Sequence, residues 1–408
     1  MKRSSMNCSP RLTMWLPQWT GTCDRALLIQ SCIRRDSVRV GIPSEVKTHE
    51  YRVAITPAGV HELTQLGNEV FVERGAGVGS SISDEEYEGA GAKVVESADQ
   101  VWENAELLLK VKEPLESEYH RLRDDLTIFT FLHLAATRSC TDAILEAGTT
   151  AIAYETVQST NGRLPLLYPM SEVAGCLAPQ AGAHALLSTQ GGRGLLPGGV
   201  TGVKPANIVV IGAGVSGSNA IAMATGLWAN VTAIDKDIDK LREIDRRYSG
   251  RVKTVAANAY EIEAAVLDAD MVIGAVLVPG ARAPKVIENS LVANMKPGSV
   301  LVDIAIDQGG CFEDSRPTTH ADPVFRVHES LFYCVANMPG AVPNTSTFAL
   351  TNATLPYVTA IVEKGWKAAL RDDPALAQGL NAFDGHVTNE AVAEAHELTA
   401  VPVADVLA

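Results

Sequence analysis

Asn207-Ile208-Val209-Val210-Ile211-Gly212-Ala213-Gly214-Val215-Ser216-Gly217 is a β-branched run that breaks into G-x-G-x-x-G. Such a run reads as a buried strand, the glycines as a tight turn, and the stretch that follows as a helix. Asp235 closes the next β-branched run, Asn230–Ile234, 18 residues after Gly217. In this order Gly212, Gly214 and Gly217 let backbone N–H groups approach a pyrophosphate at a helix N-terminus. An acid at the end of the second strand accepts hydrogen bonds from ribose hydroxyls and repels a 2′-phosphate. That favours NAD over NADP, with Lys236 beside the acid as a complication. A glycine turn that binds nothing is the competing reading, but strand, helix and acid in register favour a nucleotide.

Pro205 to Ile234 also holds thirty residues without a charge. That exceeds the roughly 20 apolar residues of a membrane span. The glycine break and the polar Ser216, Ser218, Asn219 and Asn230 make strand, turn and helix the better reading, so no membrane segment is expected. Outward from this unit the same alternation recurs. Strands are expected at Arg39–Ile42, Glu69–Val72, Lys93–Val95, Leu107–Val111, Leu126–Thr130 and Thr150–Tyr154. After a glycine-rich hinge, Gly191 to Gly202, they follow at Asn207–Ile211, Asn230–Ile234, Val252–Val255, Met271–Gly274 and Ser299–Ile304. Helical patterns lie between them. One is capped by Thr56 with Pro57 at its first position, and another covers Ser139–Ala147. The last sixty residues read as mostly helical, with an apolar-periodic stretch from Thr347 to Ala369. The fold class is therefore α/β, with doubly wound parallel sheets in two units.

The 408 residues suit two domains, and 46% hydrophobic with 20% charged residues supplies two cores. The formal net charge of -14 repels phosphate backbones and anionic lipid, so nucleic acid is not the expected partner. Seven cysteines without a C-x-x-C pair suggest neither a disulfide framework nor a zinc knuckle, and fit a reducing cytoplasm. Residues 1–36 differ from the rest. They carry net +4 against -14 for the whole chain, and contain Cys8, Cys23, Cys32, Trp15 and Trp19 without a sustained periodicity. They read as a non-native or disordered leader, with the folded protein beginning near Val38.

Several polar residues fall where strand ends or loops are expected. Arg52 lies in Tyr51-Arg52-Val53-Ala54, before the first helix. Lys110 and Lys112 lie on one face of an extended stretch, with Lys112 nearer its C-terminal end. His133 follows Phe129-Thr130-Phe131-Leu132, and Asp307 follows Leu301–Ile306. Ligands of open α/β sheets bind outside the carboxyl ends of strands, so Arg52, Lys112, His133 and Asp307 are candidates for one crevice between two domains. Each also has an ordinary reading: a satisfied histidine, a solvated lysine, or an aspartate turning the chain into Gln308-Gly309-Gly310. Cys140, Cys176, Cys311 and Cys334 read as small buried hydrophobes. His386 and His396 lack metal-ligand spacing, and no metal site is expected.

From about Val38 to its end the chain resembles the alanine dehydrogenase family, which shares its fold with the soluble NAD-binding subunit of proton-pumping transhydrogenase. The stretches that carry the resemblance are residues 51–59 (YRVAITPAG), 107–114 (LLLKVKEP), 129–135 (FTFLHLA), 170–175 (MSEVAG), 210–217 (VIGAGVSG), 302–310 (VDIAIDQGG) and 337–354 (NMPGAVPNTSTFALTNAT). The resemblance implies a Rossmann NAD domain over 166–343. It also implies a Rossmann-like substrate domain over 38–165, completed by 344–408, with a cleft between the two. The activity implied is NAD-dependent reversible oxidative deamination of L-alanine to pyruvate and ammonium, carried out by a homohexamer. Arg52 and Lys112 match the substrate-binding pair, and His133 and Asp307 the catalytic pair. Ser171, Val215, Ser216, Asp235, Lys240, Val276, Leu277, Ile304, Ala305, Ile306, Asp307, Arg316, Val335, Ala336, Asn337 and Met338 match positions that line the NAD site.

The chain departs from the family pattern at Ala257, where some members have Ser, at Cys176 after SEVAG, where Arg is usual, and at Asn344, where Lys or Arg is common. Lys364 occupies a position proposed to bind metal in the family, which speaks against that site here. Rival readings are a transhydrogenase NAD subunit, whose pattern lacks the histidine of FLHLA, a dehydrogenase for a different amino acid, and a non-catalytic NAD-sensing module.

Overall fold

The computed structural model describes residues 37–276 and 283–408. The expectations placed on residues 1–36 and on Leu277 lie outside them. The first half of the chain supplies strands β1 (Arg39–Ile42), β2 (Glu69–Glu73), β3 (Lys93–Val95), β4 (Leu107–Leu109), β5 (Thr127–Thr130) and β6 (Thr150–Ala153). The middle supplies β7 (Asn207–Ile211), β8 (Asn230–Asp235), β9 (Lys253–Ala256), β10 (Met271–Gly274), β11 (Val300–Asp303), β12 (Val324–Val327) and β13 (Ser330–Tyr333). The end supplies β14 (Leu380–Phe383) and β15 (His386–Val387). They form an eight-stranded sheet ordered β15-β14-β6-β5-β4-β1-β2-β3 and a seven-stranded sheet ordered β12-β13-β11-β10-β7-β8-β9. Both are parallel except at one edge, where β14, β15 and β12 run antiparallel to their neighbours.

Period-two alternation explains why both faces of each sheet are covered. In the first sheet Leu107 and Leu109 enter one core with Val40 and Ile42, while Leu108 enters the opposite core with Ile128. In the second, Ile208 and Val210 face one core, Val209 and Ile211 the other. Helix Pro57–Gln65 begins as expected, with Thr56 as N-cap accepting from the Gly59 N–H at 3.4 Å.

The sequence reading did not include β12 and β13, and three further features differ from it. β4 stops at Leu109, so Lys110 and Lys112 lie beyond the strand. The apolar stretch near the end is two helices, broken at Gly365 (φ +77). The last sixty residues also include a hairpin turning at Asp384-Gly385, both with positive φ (48° and 76°). Asp-Gly between short apolar runs is a type I′ hairpin signal that was legible but outweighed by the surrounding helical pattern. The glycine-rich connection after residue 190 is pinned: Gly194 N–H donates to the Leu186 carbonyl at 2.7 Å, and Arg193 pairs with Asp270 at 3.1 Å.

Two longer helices, α1 (Tyr168–Ala185) and α2 (Val215–Gly226), pack closely. A Cβ on Gly175 would overlap the Ser216 carbonyl oxygen, so only glycine permits this approach. Helix α3 (Pro343–Lys364) returns to the first sheet and buries Leu350, Val358, Ile361 and Val362 in the core around β1 and β4.

Candidate active site

The glycine turn is built by three different constraints. Gly212 has φ +100, and a Cβ there would lie 2.5 Å from the Ala275 carbonyl oxygen. A Cβ on Gly217 would overlap the Gly212 carbonyl. A Cβ on Gly214 would meet nothing within 4 Å. The first and last glycines are therefore needed by the protein itself, whereas the middle one leaves open space against the backbone. Gly214 is also the N-cap of α2, with no side chain capping the first turn, so N–H groups there are available to an anion. This fits a dinucleotide pyrophosphate.

Asp235 ends β8 and staples the turn: its Oδ2 accepts the Ala213 N–H at 2.6 Å and its Oδ1 the Asp237 N–H at 2.8 Å. Lys240 approaches the same carboxylate at 3.9 Å. The Ala213 N–H is thus already occupied, which leaves the amides from Val215 onward for phosphate. Ala257 follows β9, and its N–H donates to the Asp235 carbonyl at 2.9 Å.

Arg52 is buried in the loop after β1 and reaches Asn337, in the segment that follows β13. Its Nε donates to Glu50 Oε1 at 2.7 Å and its Nη2 to Glu50 Oε2 at 2.5 Å. Nη2 also donates to Asn337 Oδ1 at 2.7 Å, and Asn337 Nδ2 returns a bond to Glu50 Oε2 at 2.9 Å. Asn337 follows β13 in a left-handed conformation (φ 61). The free arm, Nη1, lies 2.9 Å from Met170 Sδ on α1. Burial works to raise the Glu50 pKa, but the hydrogen bonds and charge of Arg52 outweigh it and hold the carboxyl below its ordinary range.

The two lysines after β4 separate by role. Lys110 is fully buried between Glu45 (3.2 Å) and Glu118 (3.0 Å), whose charges outweigh the burial that would otherwise strip its proton. Glu45 also accepts the Val111 N–H at 2.6 Å and the Lys112 N–H at 3.4 Å, fixing the backbone that carries Lys112. Lys112 itself forms no ion pair among the described residues. Burial, then the nearby Arg52 charge, lower its pKa, while Asp307 and Glu113 oppose the shift. Arg52, Lys112 and Asp307 therefore share one electrostatic neighbourhood.

Asp307 is exposed on a single 3-10 turn, Ile304–Gln308, whose N-cap is the fully buried Asp303. Asp303 accepts from Ala305 N–H (2.9 Å), Cys311 N–H (2.8 Å) and Ser315 Oγ (2.5 Å), so the turn that carries Asp307 is held from beneath. Ile304, Ala305 and Ile306 belong to the same turn. Gln308, beside Asp307, has a buried Oε1 without a partner.

His133 follows β5 with a left-handed backbone (φ 49, ψ 37). Glu155, after β6, accepts its N–H at 2.6 Å and approaches ring Nδ1 at 3.9 Å. The Phe131 ring stacks on the imidazole, 5° from parallel. His133 makes no hydrogen bond or ion pair to Arg52, Lys112 or Asp307 among the described residues. The other residues expected at the nucleotide lie on several elements. Ser171 is half-buried on α1; Val276 follows β10; Val335, Ala336 and Met338 flank Asn337. Arg316 is exposed, with its guanidinium 4.2 Å from the Phe325 ring centroid. Cys176 is half-buried with Sγ 3.7 Å from Asn219 Oδ1, unlike the buried Cys140, Cys311 and Cys334.

Glu50, Glu155 and Met170 were not legible as site residues. Acid next to Arg52 at i−2, or after an unrelated strand, carries no spacing that marks it.

Arg52, Lys112, His133, Asp235 and Asp307 all lie in stretches matched by known proteins. Models described as "Alanine dehydrogenase/PNT, N-terminal domain" and "Alanine dehydrogenase/PNT, C-terminal domain" match residues 41–174 and 178–390. The chain belongs to the alanine dehydrogenase/PNT family. Family members named alanine dehydrogenase are 61% identical in Mycolicibacterium smegmatis, over 90% of this chain and 100% of the relative. In Mycobacterium tuberculosis one is 63% identical over 87% of this chain and 96% of the relative. The family member from Halomonas elongata is 55% identical over 91% and 100%. Among solved structures, an L-alanine dehydrogenase superimposes with a TM-score of 0.86 at 48% identity, covering 88% of this chain and 99% of that one. A Sinorhizobium meliloti transhydrogenase is more distant, with a TM-score of 0.74 at 27% identity over 86% and 99%. Membership implies a nicotinamide cofactor. Among the described residues there is no helix long and apolar enough to cross a membrane and no cluster suited to a metal ion.

Proposed function

We propose that the protein is an L-alanine dehydrogenase that uses NAD and interconverts L-alanine with pyruvate and ammonium. What supports the reading is the match of both halves of the chain to alanine dehydrogenases, together with the charges of Arg52 and Asp307 acting on the same Lys112, unpaired among the described residues. Bound NAD⁺ supplies the acceptor for the hydride on the substrate Cα. Arg52 Nη1 leaves Met170 Sδ for one oxygen of the substrate carboxylate, because a thioether is the weaker acceptor. A bidentate grip through the Nε and Nη2 edge, the simplest expectation for arginine, is precluded because Glu50 fills that edge. Lys112 supplies the second cation, towards the oxygen where negative charge develops.

Loss of hydride from Cα leaves an imine, whose carbon water must attack before ammonia departs. Asp307, exposed and within the field of Lys112, holds the ammonium and the incoming water. His133, its backbone fixed by Glu155, moves the proton at the oxygen. Asp235 selects against the 2′-phosphate of NADP. The site charges are balanced: Arg52 and Lys112 against Glu50 and Asp307, which suits a zwitterionic amino acid. The test is NADH formation by the purified protein with L-alanine and a panel of other amino acids; no alanine-dependent absorbance would overturn the reading. We also propose a homohexamer, to be checked by light scattering.

A further inference from the structure

We propose that Glu50 is a positioning residue that dictates how the substrate carboxylate meets Arg52 and ties that contact to the cofactor side of the cleft through Asn337. This rests on the reading of the site as a carboxylate-binding dehydrogenase centre. A guanidinium has five N–H donors. Three of them are used here within the protein: Nε and one Nη2 hydrogen on Glu50, the other Nη2 hydrogen on Asn337 Oδ1. What remains is Nη1, aimed at Met170. Glu50 therefore blocks the edge through which arginine usually holds a carboxylate, and leaves a single arm for substrate.

The same carboxylate holds Asn337, since Oε2 accepts both from Arg52 Nη2 at 2.5 Å and from Asn337 Nδ2 at 2.9 Å. Residues 50 and 52 follow a strand of the first sheet, and residue 337 follows a strand of the second. Asn337 also sits on the rim assigned to the nucleotide. The three side chains form a closed ring of hydrogen bonds in which each fixes the other two. His320 supports it from outside, with Nε2 3.2 Å from the Asn337 carbonyl oxygen. The arm offered to substrate is thus set by a residue that need not touch substrate, and it is set jointly with the turn across the cleft.

Glu50→Gln tests this on the full chain. The amide keeps one acceptor oxygen, so its NH2 faces either Arg52 Nη2 and Asn337 Nδ2 or Arg52 Nε and the Arg52 backbone N–H, and in each orientation one edge of the clamp on Arg52 is lost. The expected result is a KM for L-alanine raised at least about 10-fold, the loss of one well-placed hydrogen bond to a charged group. Kd for NADH, by fluorescence titration without substrate, should stay within about twofold, because the glycine turn and Asp235 hold the dinucleotide. Glu50→Asp keeps the charge on a shorter reach. It should lie between the two, and stands in if the amide variant does not fold. A variant with wild-type KM for alanine and only a lowered melting temperature would make Glu50 merely structural and overturn the proposal. Absence of alanine oxidation by the unaltered protein would instead overturn the functional reading, and this inference with it.

Discussion

Replacing Gly214 by Ala should separate nucleotide binding from folding. Gly214 has φ −71 and ψ −161, an extended backbone any residue adopts, and a Cβ built there meets nothing within 4 Å. The folded protein therefore gains no clash, and the cost is that of Ala in place of Gly at a helix N-cap, about 1 kcal/mol or less. That is about 2–4 °C of melting temperature for a domain of 150–250 residues. On the proposed function, the open space is where a bound pyrophosphate would approach the first turn of α2, and the methyl group would occupy it. Losing two charge-assisted hydrogen bonds at about 1.5–3 kcal/mol each weakens binding by about 10²-fold or more. Gly217→Ala is the control with the opposite signature, since its Cβ would overlap the Gly212 carbonyl within the protein itself. It should lower stability by about 1–3 kcal/mol, the usual cost of overpacking. The assays are an NADH fluorescence titration and a thermal melt for each variant. A Gly214→Ala protein that binds NADH as the wild type does would refute the reasoning, because the open space would not be the phosphate site.

His133→Ala should lower kcat for alanine oxidation by about 10²-fold, the usual size of a general acid–base contribution, while NADH affinity is retained; steady-state rates beside a melt decide it. Asp235→Ala should narrow the preference for NAD⁺ over NADP⁺, measured as the ratio of kcat/KM values, although it also frees the Ala213 N–H and so costs some affinity for both. Lys112 gives a pH dependence: burial and Arg52 lower its pKa below the ordinary 10.5, with Asp307 and Glu113 opposing. The KM for pyruvate at saturating ammonium should rise as pH climbs through that lowered value, and Lys112→Arg should flatten the rise. Between the lowered and ordinary values the unfolded chain holds the proton that the folded one has lost, so this group's contribution makes stability increase with pH there.

The parallel cores were legible because each central strand is a short β-branched run flanked by turn residues, and the glycine turn with its acid carries a fixed spacing. Arg52, Lys112, His133 and Asp307 could be nominated from their places after strands, and the resemblance added their roles. The antiparallel additions were not legible. Arg326, His328 and Glu329 interrupt the apolar pattern across β12 and β13, and β14 and β15 follow a long helical stretch that biased the reading.

Three decisions were made only by tertiary structure. Lys110 and Lys112 are two positions apart and chemically alike, but Glu45 and Glu118 close around Lys110 alone, leaving Lys112 for the cleft. His133 takes a left-handed backbone, and a carboxylate 22 residues later accepts its N–H. Arg52 offers one arm because Asn337, 285 residues away, and Glu50 occupy the others. Local pattern records which residues enter a strand or a turn, since those preferences act over a few residues. Which hydrogen bonds a side chain has left to give depends on neighbours brought together by packing, and sequence spacing carries no trace of them.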